Sequence, residues 1–128
     1  MRRVLLKLHK YAGLIFGLLL SLIGISGSLL VFDHAIDETL TPALRSDPNA
    51  KLASLDAVIA AAKAAAPSDA TLNRLYISRA PGSPHTARFP NAAGDGKTVE
   101  VSISPDTAEA VTVRVWGEYP MTWLYSFH

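Results

Sequence analysis

The 22 residues from Tyr11 to Phe32 carry no charge. As a helix rising 1.5 Å per residue they reach roughly 33 Å, enough to cross a hydrocarbon core of about 30 Å. A spanning helix near the amino terminus is therefore expected, with the lipid bilayer as its first partner. A cleaved secretory signal shares the basic start and the small residues, but its apolar core is only about 7 to 15 residues long, so the run reads as a retained anchor. Charge gives the anchor a direction. Residues 1–32 hold Arg2, Arg3, Lys7 and Lys10 and no acid, a charge of +4, whereas residues 33–128 sum to −3, giving the net +1. Cations before the span and Asp33, Asp37 and Glu38 after it place the amino terminus in the cytoplasm and residues after about 33 outside, which for a bacterial inner membrane is the periplasm. The basic residues do not gather on a folded face, so nucleic acid is not an expected partner. The absence of cysteine excludes disulfides, thiolate zinc sites, iron–sulfur clusters and covalently attached c-type haem, and leaves His and carboxylate as the metal-holding groups.

Small residues follow one another along the span at Gly13, Gly17, Ser21, Gly24 and Ser28, at spacings of 4, 4, 3 and 4, which keeps them on one stripe of a helix. Small side chains let two backbones approach closely in lipid. The stripe reads as a packing face for other transmembrane helices, whether from a further part of the same protein, a second copy or a partner subunit; the plain alternative is a Gly-rich segment with no partner. Continued toward the amino terminus, the stripe reaches His9. Continued the other way along an unbroken helix it reaches His34, 25 residues on, within about 20° of the same face and about 37 Å away. Imidazole at a membrane edge is costly unless paired or ligated. Each histidine is thus either a ligand near one membrane surface or an interfacial residue, His9 beside Lys7 and Lys10 and His34 in an acidic turn.

The remaining length supports one small domain. Thr41-Pro42 and Asp47-Pro48-Asn49 read as breakers in a linker over 41–53. Ser54 caps a helix running to Ala66, with Leu55, Val58, Ile59, Ala62 and Ala66 on one face and Pro67 beyond its end. Strands are expected over Thr71 to Ser78, His85 to Phe89, Thr98 to Ile103 and Glu109 to Val115, with Val99, Val101 and Ile103 pointing one way and Glu100, Ser102 and Ser104 the other. The expected fold class is α+β: one amino-terminal transmembrane helix within 1–40, then a helix packed on an antiparallel sheet over 54–115.

Residues 116–128 hold five of the chain's ten aromatics, Trp116, Tyr119, Trp123, Tyr125 and Phe127. Trp and Tyr favour the headgroup level of a bilayer, so this tail reads as the approach to a second membrane helix, with a strand capping the sheet as the alternative. The body holds no nucleophile motif, no phosphate loop and no histidine pair at metal-ligand spacing. Asp33, His34 and Asp37 could share a helix end, where a solvated rim is the simpler reading than a metal site. His85, in a Pro/Ser-rich turn, is expected to be exposed.

Together Leu8-His9-Lys10-Tyr11-Ala12-Gly13-Leu14, the run from Gly24 to Phe32 into Asp33, Asp37 and Pro42-Ala43-Leu44, the helix-then-strands unit ending in Val99 to Val111, and Trp123-Leu124-Tyr125-Ser126-Phe127-His128 resemble the PepSY-associated transmembrane family. That family includes iron-regulated membrane proteins and siderophore-linked ferric reductases. The resemblance covers essentially the whole chain and implies a periplasmic PepSY domain inserted after the first of several membrane helices, of which this chain would be the amino-terminal portion or a short form. It further implies haem b as a cofactor, with His9 on the cytoplasmic side and His128 on the outer side as ligands. A second implication of the PepSY unit is different in kind: a single-pass anchored module that binds peptides or regulates extracytoplasmic peptidases, adding a peptide strand at a sheet edge.

Overall fold

A computed structural model describes residues 2–128; Met1, the first residue of the expected membrane segment, lies outside them. Helix α1 spans Arg2–Leu30. Its run of Leu, Ile and Phe, free of proline, forms one uninterrupted rod whose large apolar side chains stand exposed all round, the pattern of a helix whose solvent is lipid. At Val31 and Phe32 the helix turns: Phe32 N–H bonds back to Leu29 C=O at 3.0 Å, a tightened last turn. The Asp33 carboxylate then accepts the His34 N–H at 2.7 Å as α2, Asp33–Leu40, begins. The break separates His34 from α1, so the expected common face of His9 and His34 does not form. Pro42 ends α2, because the residue before a proline is pushed out of helical geometry, and a single 3-10 turn, Pro42–Leu44, buries Leu44.

Helix α3, Leu55–Ala65, starts where expected: Ser54 Oγ accepts the Ala57 N–H at 3.2 Å, satisfying one of the free first-turn donors. Val58 and Ala62 are buried against the sheet, while Leu55, expected on the inner face, is exposed. The sheet is an antiparallel meander of β1 Arg74–Tyr76, β2 His85–Phe89, β3 Val99–Ile103 and β4 Ala110–Val115, in that spatial order. Ala87 faces Val101 and Val101 faces Val113 across the ladders. Ala87 and Val101, with Phe89, Val99 and Ile103, give the sheet an apolar face under α3, while Val113 at its edge is half exposed. Strand β1 is shorter than the expected Thr71 to Ser78, because the Ser78 N–H leaves the ladder to bond His85 Nδ1 at 3.2 Å.

The second face of the sheet is polar, and it too is covered. Cross-strand pairing lines up Arg74, Arg88, Glu100 and Arg114 in one row. Over this row lie α2 and the segment leading into α4, Pro120–Phe127. The aromatic tail is thus a helix and not a sheet-capping strand: Pro120 stands at its start, where a missing N–H costs nothing, and it packs against both α1 and α2.

Candidate functional site

Two places concentrate polar chemistry, and both join the membrane helix to the body. The first is the polar sheet face. Glu100 is only 2% exposed. A carboxylate removed from water this far must be paired and hydrogen-bonded, and it is: Arg88 Nε donates to it at 2.5 Å and the Tyr119 hydroxyl donates to its other oxygen. Beside it Arg114 grips Asp37 of α2 through both terminal nitrogens, at 2.8 and 2.7 Å, the two-pronged geometry that suits guanidinium to carboxylate. Aromatic faces complete the layer. The Arg88 guanidinium lies 4.2 Å from the Trp116 ring centre and the Arg114 guanidinium 3.9 Å from that of Tyr119, within cation–π range. Burial, then the bond and charge of Glu100, hold the Tyr119 phenol well above its ordinary pKa. Burial pulls Arg114 the other way, but the hydrogen bonds and charge of Asp37 win and raise it. These groups line a cleft of about 410 Å³ between the sheet, α2 and α4, with Tyr76 and Tyr125 at its walls.

The second place is the far end of α1. The His128 N–H bonds Leu124 C=O at 3.0 Å, so the residue extends α4, and its ring Nδ1 lies 2.9 Å from Ser26 Oγ. Ser26 is only 4% exposed. The ring rests on Gly27, where an added Cβ would stand 3.0 Å from Cε1. Among the described residues Nε2 has no hydrogen-bond partner. His9 sits on α1 about 17 residues before Ser26, roughly 26 Å along the axis, with an exposed ring. The two expected ligands, one on α1 and one at the end of α4 packed against Ser26, therefore stand at opposite ends of α1 and cannot meet at one metal.

A profile described as PepSY-associated TM region matches residues 6–128. The chain belongs to that family. No curated protein matches it. This PepSY-associated protein is accordingly a membrane protein, and α1 is its candidate span, with an apolar surface for the bilayer.

The other expected residues fall as follows in the PepSY-associated chain. Gly13, Gly17 and Gly24 have open space where a Cβ would be, and the Ser21 and Ser28 hydroxyls turn inward to the carbonyls of Gly17 and Gly24 at 2.8 Å. The stripe is therefore a smooth face, and α4 packs beside it at Ser26 and Gly27 rather than on it. The Asp33, His34 and Asp37 trio does not converge: the His34 side chain is 91% exposed, and Asp37 is committed to Arg114. Among the described residues no three His, Asp or Glu side chains could hold a metal ion together. His85, expected to be exposed, is buried at 8%, because pairing with Ile103 carries it onto the core face of β2. The polar layer itself escaped the reading of the sequence. The available signals were the charges inside strands, Arg88, Glu100 and Arg114, which only the strand pairing brings into one row.

Proposed function

We propose that this PepSY-associated membrane protein is a haem-holding module of an inner-membrane electron-transfer or iron-uptake system. Its amino terminus lies in the cytoplasm and the body after residue 33 in the periplasm. The reading is supported above all by one observation: His128 is held on the outer end of the helix that carries His9 near its inner end, with Nε2 free of partners among the described residues. A ligating histidine characteristically bonds through its other nitrogen to a protein group, and the contact of Nδ1 with Ser26 meets that requirement. His9 would serve a second group at the cytoplasmic side. The exposed small stripe of α1 is suited to further helices that would bring the opposing ligands. A b-type haem supplies a one-electron iron couple whose potential depends on axial ligation and burial. The chain's own residues contribute imidazole at each membrane surface, a contact between α4 and α1 at the outer one, and an outer body clamped to the exit of α1 through Asp37 and Arg114.

The test is an absorbance spectrum of detergent-solubilised protein produced with haem supplied. A Soret band that shifts or weakens in His128→Ala and in His9→Ala is the expected result. A protein without the band, or one whose band ignores both substitutions, overturns the proposal.

A further inference from the structure

We propose that Ser26 and Gly27 are positioning residues for His128, fixing its imidazole as the Nδ1–H tautomer and so presenting Nε2 as the bare, electron-donating nitrogen. The argument rests on proton counting. A serine hydroxyl has one hydrogen and two acceptor positions. Ser26 Oγ donates that hydrogen to Ile23 C=O at 3.0 Å, within its own helix. With the hydrogen assigned there, what Ser26 Oγ offers His128 Nδ1, 2.9 Å away, is a lone pair. The proton of the neutral ring must then sit on Nδ1, and the lone pair on Nε2.

Two features make the arrangement rigid. Burial of Ser26 shelters the bond from water, and with little competing solvent a hydrogen bond is electrostatically stronger. Gly27 supplies the space: with an added Cβ at 3.0 Å from Cε1 the ring would have to lift from α1 and lengthen the contact with Ser26. The ring is in turn delivered by a helix whose first turn is tied to the chain before it. Thr122 Oγ1 accepts the Gly117 N–H at 2.9 Å and donates to Tyr119 C=O at 3.0 Å, which fixes the start of α4 relative to the sheet. The tautomer rests on the Ser26 hydroxyl donating within its own helix; its use in holding a metal centre rests on the function proposed above.

The experiment uses the full chain, prepared without haem, in detergent micelles with ¹⁵N-labelled histidine. Long-range ¹H–¹⁵N correlation then reports which ring nitrogen carries the proton, and His128→Gln assigns the signal. His128 is expected as the Nδ1–H form, while exposed His34 serves as an internal reference for the Nε2–H form that an unconstrained imidazole favours. Ser26→Ala should return His128 to the reference pattern and Ser26→Thr should preserve the parent pattern. Gly27→Ala should also shift it toward the reference. A parent His128 already in the Nε2–H form, or one indifferent to Ser26→Ala, overturns the inference. Because no haem is present, this outcome is independent of the Soret test: the tautomer can stand while the haem reading falls, and the reverse. If haem is held, Ser26→Ala should additionally weaken its retention about tenfold or more, the usual effect of losing a partner of a ligating histidine.

Discussion

Asp37 and Arg114, 77 residues apart in sequence, meet in a two-pronged ion pair that ties the helix following the membrane span to the last strand of the sheet. Both side chains are mostly shielded from solvent, so neither charge can be stranded cheaply. Removing one partner of such a pair costs about 3 kcal/mol, because the other charge stays buried without compensation. Arg114→Ala and Asp37→Ala should each lower the unfolding midpoint of the detergent-solubilised protein, followed through its near-ultraviolet circular dichroism. The double variant should cost clearly less than the two single costs added together. Strict additivity would show that the pair contributes nothing beyond two separate side chains.

Tyr119 makes the same layer sensitive to alkali. Burial, then the bond and charge of Glu100, raise its pKa above the ordinary value of 10.0. The unfolded chain releases this proton near pH 10 while the folded chain keeps it, so the folded state binds more protons there and stability falls as pH rises past about 10. One of the four tyrosines should fail to give a tyrosinate absorbance signal until the protein unfolds. Tyr119→Phe should abolish that delayed signal and flatten the alkaline loss, at a cost of about 1 to 3 kcal/mol at neutral pH for the donor withdrawn from Glu100.

His85 acts in the opposite pH range. Burial lowers its pKa from 6.5, so the folded state resists a proton that the unfolded chain accepts. Stability contributed by the neutral ring is present above about pH 6.5 and declines as pH falls below it. His85→Gln, which keeps an acceptor for the Ser78 N–H, should lessen the acid-side decline in denaturant midpoint. An unchanged slope in the variant would place the sensitivity elsewhere.

Much of the architecture could be read locally. Ser54 and Pro67 bracket α3, the alternation of Val99, Val101 and Ile103 with Glu100 and Ser102 marks a strand with two faces, and the uncharged run from Tyr11 marks α1. These signals depend on neighbours a few residues away. What covers the polar face does not, since Asp37 and Tyr119 reach Arg114 and Glu100 from distant parts of the chain and no local pattern couples them. The turn after Leu30 contains neither Pro nor Gly, so an unbroken helix to His34 was the natural extrapolation, and only the Asp33 carboxylate bonding the next N–H hints at a restart. At His85 the local Pro and Ser context suggested exposure, whereas strand pairing decided burial. Ser26 and Gly27 lie between stripe members Gly24 and Ser28 but off their face; their meaning depends on where α4 returns.

Gly82 offers a final check on how the linker is held to the sheet. Its φ of +76° places it in the left-handed region, and a Cβ there would stand 2.6 Å from the Ser46 carbonyl oxygen. In return the Gly82 carbonyl accepts the Ser46 N–H at 2.9 Å, and Ser46 Oγ shares a hydrogen bond with Ser104 Oγ at 2.7 Å. Gly82→Ala therefore meets two penalties at once, about 1 kcal/mol for the backbone conformation and a collision with backbone that no rotamer change relieves. The expected result is a loss of about 2 kcal/mol or more in unfolding free energy, with faster tryptic cleavage after Arg45 and Arg79 as the clasp between linker and loop opens. Gly94→Ala is the matched control, because nothing stands within 4 Å of a Cβ at Gly94, and a surface change of this kind should fall within about 0.5 kcal/mol of the parent. Equal behaviour of the two variants would mean that the Ser46 to Gly82 clasp does not restrain the linker.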